Sequence, residues 1–264
     1  MSTQTVNLDS QELEELPASI ANEHEITYLS AYNNMLKTLP DWLWSLTDLN
    51  TLNVSCNRLT SLSDEIGSLS NLQMLDIGHN QITELPDAIG HLRSLTKFLY
   101  MSDNGMEHLP ATLTNLSKLR YLNVTDNRLA TLPHDLGRMV GLIELRAYRN
   151  PLTELPDSIG MLAQLRELHL DDTLLTSLPD TIGQIGNLRI LSLRGCKLKQ
   201  LPASIGELHN LRHLDLRANP LTILPDAIAA MPSLEKLDLR WTHQLTSLPS
   251  WLGELEARGC LVYL

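Results

Sequence analysis

Leucine recurs along the chain at a nearly constant interval. A Leu-Pro pair marks each interval, with its Leu at positions 16, 39, 85, 109, 132, 155, 178, 201, 224 and 248. Leu62, which is followed by Ser63, fills the gap between 39 and 85, so the marks are evenly spaced along the whole chain. A fixed period of this kind indicates a chain built from internal structural repeats.

Each repeat follows the pattern LxxLxLxxNxLxxLPxxIGxLxx, as in the stretch from Leu72 to Leu92. The LxL step has a period of two, which places both leucines on one face of a short strand. The LPxxIG segment then turns the chain back. Pro suits the first position of a helical turn, and Gly permits a left-handed conformation that ends it. We therefore expect each repeat to form one strand and one short helical segment.

This pattern extends from Val6 to about Leu255 and resembles the leucine-rich-repeat family. The match is to the 23-residue subclass of intracellular scaffolds, plant Ras-group repeat proteins and bacterial type III effectors. The resemblance implies an α/β solenoid: a horseshoe with a parallel concave sheet, short helical or 3-10 convex segments, and eleven or twelve strands. One repeat cannot bury its own apolar face, but a stack of repeats can.

The ninth repeat position is expected to carry a ladder of side-chain hydrogen bonds, as the resemblance implies. Asn occupies it at Asn34, Asn57, Asn80, Asn104, Asn127, Asn150 and Asn219. Thr173, Cys196 and Thr242 replace Asn there, which predicts a weaker ladder in the C-terminal half.

We expect a single leucine-rich-repeat domain over residues 1–264. It should begin with a partial repeat or cap over 1–25, with Val6 and Leu8 in the first strand, and end with a closing strand over 256–264. Two repeats are longer than the others by a single residue. The extra residue between Leu95 and Leu99 predicts a β-bulge, and the one near Thr242 is explained equally well by a loop insertion.

Composition narrows the possible functions. Of 264 residues only 4% are aromatic, with one Phe, so the core must be aliphatic. The net charge of −11 argues against nucleic acid, whose phosphates require a basic surface. Neither a signal peptide nor an apolar run of membrane-spanning length is present, and the three cysteines are far apart. These features predict a cytoplasmic protein, or one delivered into a host cell if it is a secreted effector, without membrane binding.

No catalytic arrangement is visible. The nine His residues are scattered, and the chain has no phosphate-binding loop and no nucleophile elbow. We therefore expect no enzymatic activity, no cofactor and no metal site.

The variable positions between the repeated leucines line the concave sheet in this family, and there we place the candidate partner-binding residues. Tyr and Arg are enriched at such positions and at binding hot spots generally. One group combines aromatic and Arg residues: Tyr28, Tyr32, Phe98, Tyr100, Tyr121, Arg146, Tyr148 and Arg149. The other is an Arg ladder, Arg194, Arg217 and Arg240, which ends beside Trp241. Asp215 and Asp238 can neutralise this ladder by cross-strand pairing, and that alternative stays open.

These observations predict a monomeric, non-catalytic protein-interaction module that binds a partner protein on its concave face. An alternative is the substrate-recognition arm of a larger multidomain enzyme, such as a bacterial effector ubiquitin ligase; this rests on the resemblance alone. A third reading is a structural or self-associating protein.

Overall fold

The computed structural model describes residues 4–23 and 25–264. The chain forms two compact units, residues 1–128 and 129–264. Both are built from the predicted repeat, in which a short strand is followed by a short 3-10 helix.

The first unit contains six parallel strands in chain order among the described residues. They are β1 (Gln4–Asn7), β2 (Ile26–Ser30), β3 (Thr51–Asn53), β4 (Met74–Asp76), β5 (Phe98–Tyr100) and β6 (Tyr121–Asn123). The 3-10 helices are η1 (Ala18–Asn22), η2 (Asp41–Ser45), η3 (Asp64–Ser68), η4 (Asp87–His91) and η5 (Ala111–Asn115). The central leucines of β2 to β6 pair in register, as Leu52 does with Leu75.

The second unit also contains six parallel strands in chain order. They are β7 (Glu144–Arg146), β8 (Glu167–His169), β9 (Ile190–Ser192), β10 (His213–Asp215), β11 (Lys236–Asp238) and β12 (Leu261–Tyr263). The 3-10 helices are η6 (Leu136–Arg138), η7 (Asp157–Met161), η8 (Asp180–Gln184), η9 (Ala203–Glu207) and η10 (Asp226–Ala230), followed by the helix α1 (Leu252–Ala257). No helix within the described residues combines the length and the apolar character that crossing a membrane requires.

The core of each unit is mainly aliphatic, as the composition predicts, with Trp44 buried in the first unit and Trp251 in the second. The central strand leucines, such as Leu75 and Leu168, are fully buried, and so are the LPxxIG isoleucines, such as Ile89 and Ile182. Burial of these side chains from both segments of every repeat is the main stabilising contribution. The predicted fold class, a leucine-rich-repeat solenoid with a parallel sheet and 3-10 segments, is therefore confirmed.

The Asn ladder is present. Asn57 donates from Nδ2 to the carbonyls of Ala31 at 2.9 Å and Val54 at 3.1 Å, and its Oδ1 accepts from the Leu36 amide at 3.0 Å. These bonds satisfy buried backbone groups of two successive repeats.

Where Asn is replaced, the side chain makes fewer bonds to the backbone. Thr173 donates to the Leu170 carbonyl at 2.9 Å, and the Cys196 sulfur lies 3.3 Å from the same oxygen. A hydroxyl or a thiol has one proton to donate, whereas an amide has two.

The role expected for the LPxxIG glycines is wrong. Among the described residues only Gly195 and Gly259 are left-handed glycines, and neither belongs to that motif. The motif glycines instead allow close packing of successive turns: a Cβ on Gly183 would lie 2.3 Å from the carbonyl oxygen of Ser204. The left-handed residue is the one before the ladder position, as at Arg149 (φ 53°) and Ala218 (φ 56°).

The first of the two longer repeats contains no bulge in its strand. Met74 pairs with Phe98 and Leu75 with Leu99 without a register shift, so the extra residue is absorbed at the bend before β5. The predicted bulge is therefore wrong. In the second longer repeat the extra residue lies in the turn after Thr242, which agrees with a loop insertion.

At the ends, the structure is close to the sequence prediction. The first strand contains Val6 and stops just before Leu8; residues 1–3 and 24 of the expected cap lie outside the described residues. The closing segment contains a shorter strand than expected, β12, because α1 occupies the chain up to Ala257. β12 pairs in parallel with β11.

Candidate protein-binding face

In most strands of each unit the two residues that flank the central leucine are at least partly exposed, whereas the leucine is buried. In β6, for example, Leu122 is buried while Tyr121 and Asn123 are half-buried. We call this solvent-facing side of the strands, together with the residues that directly follow them, the strand face. It contains the variable positions that the sequence identifies as candidate contacts.

An aromatic cluster occupies the strand face of the first unit. Phe98 stacks on Tyr100 with ring centroids 5.6 Å apart, and Tyr121 meets both rings, at 5.6 Å from Phe98 and 5.0 Å from Tyr100. The strand register explains the cluster, because Phe98 lies directly opposite Tyr121. Phe98 is 38% exposed although it is a large apolar residue.

A carboxylate borders this aromatic cluster. Asp76 on β4 pairs in register with Tyr100 on β5. Burial raises the pKa of Asp76, and the backbone amide of Gly78, which donates to its carboxylate at 3.0 Å, acts in the opposite direction. The cluster thus offers both ring surface and a hydrogen-bond acceptor.

The two N-terminal tyrosines lie apart from the aromatic cluster, since β3 and β4 separate β2 from β5. Tyr28 is a half-buried residue of β2, and Tyr32, just after that strand, is 41% exposed. A hydrogen bond between the Tyr32 phenol and the Cys56 side chain raises the pKa of Tyr32. These residues form a separate part of the first unit's strand face.

The strand face of the second unit is ionic. The guanidinium of Arg149 lies 5.1 Å from the ring centroid of Tyr148. Beside this pair is a groove of about 320 Å³ lined by Tyr148, Arg149, Asp171, Asp172, Ser192, Arg194 and Arg217. Within it Arg194 pairs with Asp172 at 3.2 Å, and Asp171 accepts from the backbone amide of Arg194 at 3.0 Å.

The Arg ladder is extensively paired. Arg217 donates from Nε to both oxygens of Asp215, at 2.9 and 3.0 Å, and Arg240 donates to both oxygens of Asp238, at 2.9 and 2.7 Å. Arg217 also reaches across to Asp238 at 3.6 Å. These contacts support the alternative that the Asp residues neutralise the ladder, mostly within a strand rather than across strands.

Asp238 is the centre of this network and has a fully buried side chain. Burial acts to raise the pKa of Asp238, but hydrogen bonds from Arg240 and the charge of Arg217 outweigh it, so the pKa is lowered. The hydrogen bond to Asp215 raises the pKa of the Arg217 guanidinium, and the hydrogen bond to Asp238 raises that of the Arg240 guanidinium.

Trp241 extends the ladder, as the sequence suggests. The Arg240 guanidinium lies 5.6 Å from the Trp241 ring and 5.2 Å from the Tyr263 ring, and Trp241 is 57% exposed. An exposed indole beside a cation provides a large contact surface.

Sequence reasoning missed one group of residues on β7 and β8. Arg146 donates from Nε to Glu144 at 2.5 Å, Glu144 lies opposite Glu167, and His169 lies 3.2 Å from Glu167. Three potential ligand atoms, one from each of Glu144, Glu167 and His169, lie within 4.8 Å of one another. A motif search within one segment cannot find this group, because its two glutamates belong to different repeats. A comparison of the residues at the third and fifth repeat positions in adjacent strands would have identified it.

Comparisons with known proteins agree with the fold. Leucine-rich-repeat family models match residues 157–261, described as a leucine-rich repeat region, and residues 47–106 and 118–139, each described as a leucine-rich repeat. Among curated proteins none matches the chain.

Three solved structures illustrate the likeness. The leucine-rich repeat domain of the type III effector XopL is 31% identical, with 81% of this chain and 76% of that one covered and a TM-score of 0.74. A leucine-rich-repeat protein of Leptospira interrogans is 27% identical, with coverage of 98% and 83% and a TM-score of 0.52. The plant peptide hormone receptor RGFR1, solved in complex with RGF2, is 23% identical with a TM-score of 0.74. The alignment covers 98% of this chain and 47% of the receptor chain. From the repeats, the fold and the XopL likeness, the chain belongs to the leucine-rich-repeat family.

Proposed function

We propose that this protein is a non-catalytic interaction module that binds a partner protein through its strand face. The observation that carries the proposal is the aromatic cluster of Phe98, Tyr100 and Tyr121. Apart from Trp44 and Trp251 the buried core is built from aliphatic side chains, whereas the only Phe of the chain is partly exposed on the sheet. Aromatic side chains on a rigid sheet give a large contact area at a small cost in conformational entropy.

The second unit adds polar recognition to the proposed interface. Tyr148, Arg149 and Trp241 are accessible there, whereas Arg217 and Arg240 are held by their own Asp partners. We assign Arg217 and Arg240 a positioning role, in which they fix the local surface, and keep Trp241 and the Tyr148–Arg149 pair as direct contacts. The general idea gains support from RGFR1, a peptide hormone receptor of related fold whose structure is a complex with RGF2.

The XopL likeness and the 23-residue period favour the scaffold and effector subclass. On the sequence alone, we also propose that the chain acts as a monomer in the cytoplasm of its own or a host cell. The same likeness favours a second candidate, in which this chain recognises the substrate of a larger effector, since the matched structure is itself one domain of an effector.

The test is a comparative capture of proteins from a cell lysate. The wild-type chain is compared with the double variant Phe98→Ser/Tyr121→Ser and with the control Met161→Ser/Ile223→Ser, which removes exposed apolar residues outside the strands. We expect one partner to bind wild type and control and to bind the aromatic variant at least about 30-fold more weakly, the effect of losing about 2 kcal/mol at a hot spot. Equal binding by all three folded proteins would reject the strand-face proposal.

A further inference from the structure

The group of ligating side chains on β7 and β8 has the composition of a metal site. Glu144 and Glu167 supply carboxylate oxygens, and His169 supplies an imidazole nitrogen. Glu167 and His169, at positions i and i+2 of β8, share one face of the strand, and the parallel register brings Glu144 directly opposite Glu167. A mixed set of imidazole and carboxylate ligands favours divalent transition ions over Mg²⁺ or Ca²⁺, which prefer oxygen ligands alone.

The distances agree with a shared ion. In a tetrahedral Zn²⁺ site with bonds of about 2.0–2.1 Å, neighbouring ligand atoms lie about 3.4 Å apart. His169 Nε2 and Glu167 Oε2 are 3.2 Å apart, and all three ligand atoms lie within 4.8 Å of one another.

The local charges also favour a cation. Two carboxylates directly opposite each other on neighbouring strands destabilise the sheet, and here Glu144 lies opposite Glu167 while Arg146 contacts Glu144. Arg146 contacts Oε1 of Glu144, which leaves the second oxygen of that carboxylate for an ion. In this arrangement Arg146 orients the carboxylate, as hydrogen-bonding partners of metal ligands do.

We infer that Glu144, Glu167 and His169 form a binding site for a divalent transition-metal ion, with Zn²⁺ as the representative ion. The ligand side chains are 19%, 37% and 20% exposed, so a fourth coordination position faces solvent on the strand face. Water or a side chain of a binding partner occupies that position. The inference does not depend on the proposed protein binding.

The experiment is a calorimetric titration of the full-length chain with Zn²⁺ at neutral pH under reducing conditions. We expect one site in the wild type, and affinity at least about tenfold lower in each of Glu144→Gln, Glu167→Gln and His169→Gln, because each change removes a ligand and preserves size. Two matched controls should bind like wild type: His213→Gln, which changes another strand-face imidazole near a carboxylate, and Cys56→Ser, which removes the partly exposed thiol.

A second readout uses the wild-type protein alone. Paramagnetic Co²⁺ added to the chain should broaden the NMR resonances of the His169 imidazole before those of His213. The inference is overturned if millimolar Zn²⁺ produces no binding, if the three ligand variants bind as the wild type does, or if Co²⁺ leaves His169 unaffected. The group is then an ion-pair cluster only, and the protein-binding proposal is unaffected.

Discussion

The motif glycines offer a sharp test of how the repeats pack. In Gly183→Ala the new methyl group would lie 2.3 Å from the carbonyl oxygen of Ser204 and 3.0 Å from its Cβ. Gly183 belongs to η8 and Ser204 to η9, so the substitution forces two successive turns apart. Gly186→Ala is the matched control, because nothing lies within 4 Å of its Cβ position and Gly186 follows closely in the same repeat.

The magnitude follows from the contact. A carbon and an oxygen in ordinary contact are about 3.4 Å apart, so η9 must move by about 1 Å. Overpacking of this kind costs about 1–3 kcal/mol, and the gain from replacing Gly in a helical turn offsets about 0.5–1 kcal/mol of it. We expect a net loss of about 1–2 kcal/mol for Gly183→Ala and a change between zero and a gain of about 1 kcal/mol for Gly186→Ala.

Urea denaturation followed by circular dichroism measures the free energy of unfolding of each variant. Thermal denaturation gives a second readout: at about 2–4 °C per kcal/mol for a chain of this size, the melting temperature of Gly183→Ala should fall by about 2–8 °C. Equal stability of Gly183→Ala and wild type would refute the close-packing explanation. A similar loss in Gly186→Ala would instead assign the effect to glycine's backbone freedom.

Three further predictions concern stability. Asn57→Ala should lower the free energy of unfolding by about 2–4 kcal/mol, since buried amide and carbonyl groups lose their partners; a loss below about 1 kcal/mol in a urea titration would contradict the ladder's role. Asp238→Asn should cost about 2–3 kcal/mol at pH 7. Because the folded pKa of Asp238 is lowered, its contribution is complete above the ordinary value of 3.8 and disappears as the pH falls through the folded pKa. The difference between the two proteins should therefore narrow in acid, and a gap that is constant from pH 7 to pH 3 would contradict this. Ala218→Gly should raise the free energy of unfolding by up to about 1 kcal/mol, because glycine adopts the left-handed conformation of this position without strain. A lower melting temperature than wild type would show that Ala218 is not strained there.

The repeat positions explain why the fold was predictable. A buried leucine equivalent to Leu75 recurs in successive repeats, so strand positions and register follow from the spacing. The Asn57 hydrogen bonds were expected from the resemblance to the leucine-rich-repeat family. The role of Gly183 did not follow, because a glycine selected for close packing and one selected for a left-handed turn look the same in a sequence. The expected bulge at Phe98 failed because a turn absorbs an extra residue at lower cost than a paired strand.

The candidate site was predictable only in part. The strand face and its aromatic residues follow from the repeat, and the structure brings Phe98, Tyr100 and Tyr121 together. The pairing of Arg240 with Asp238 depends on side-chain conformations that spacing does not fix. Whether these residues bind a partner is still a prediction.

The most direct test of the central claim is site-specific photocrosslinking in a cell lysate. A benzophenone amino acid is placed at position 98 in the aromatic cluster, and in a control protein at position 161, where Met161 is 61% exposed outside the strands. We predict that position 98 crosslinks one discrete partner and that position 161 does not crosslink it. A partner crosslinked at 161 but not at 98, or a folded protein that crosslinks nothing at 98, would contradict binding through the strand face.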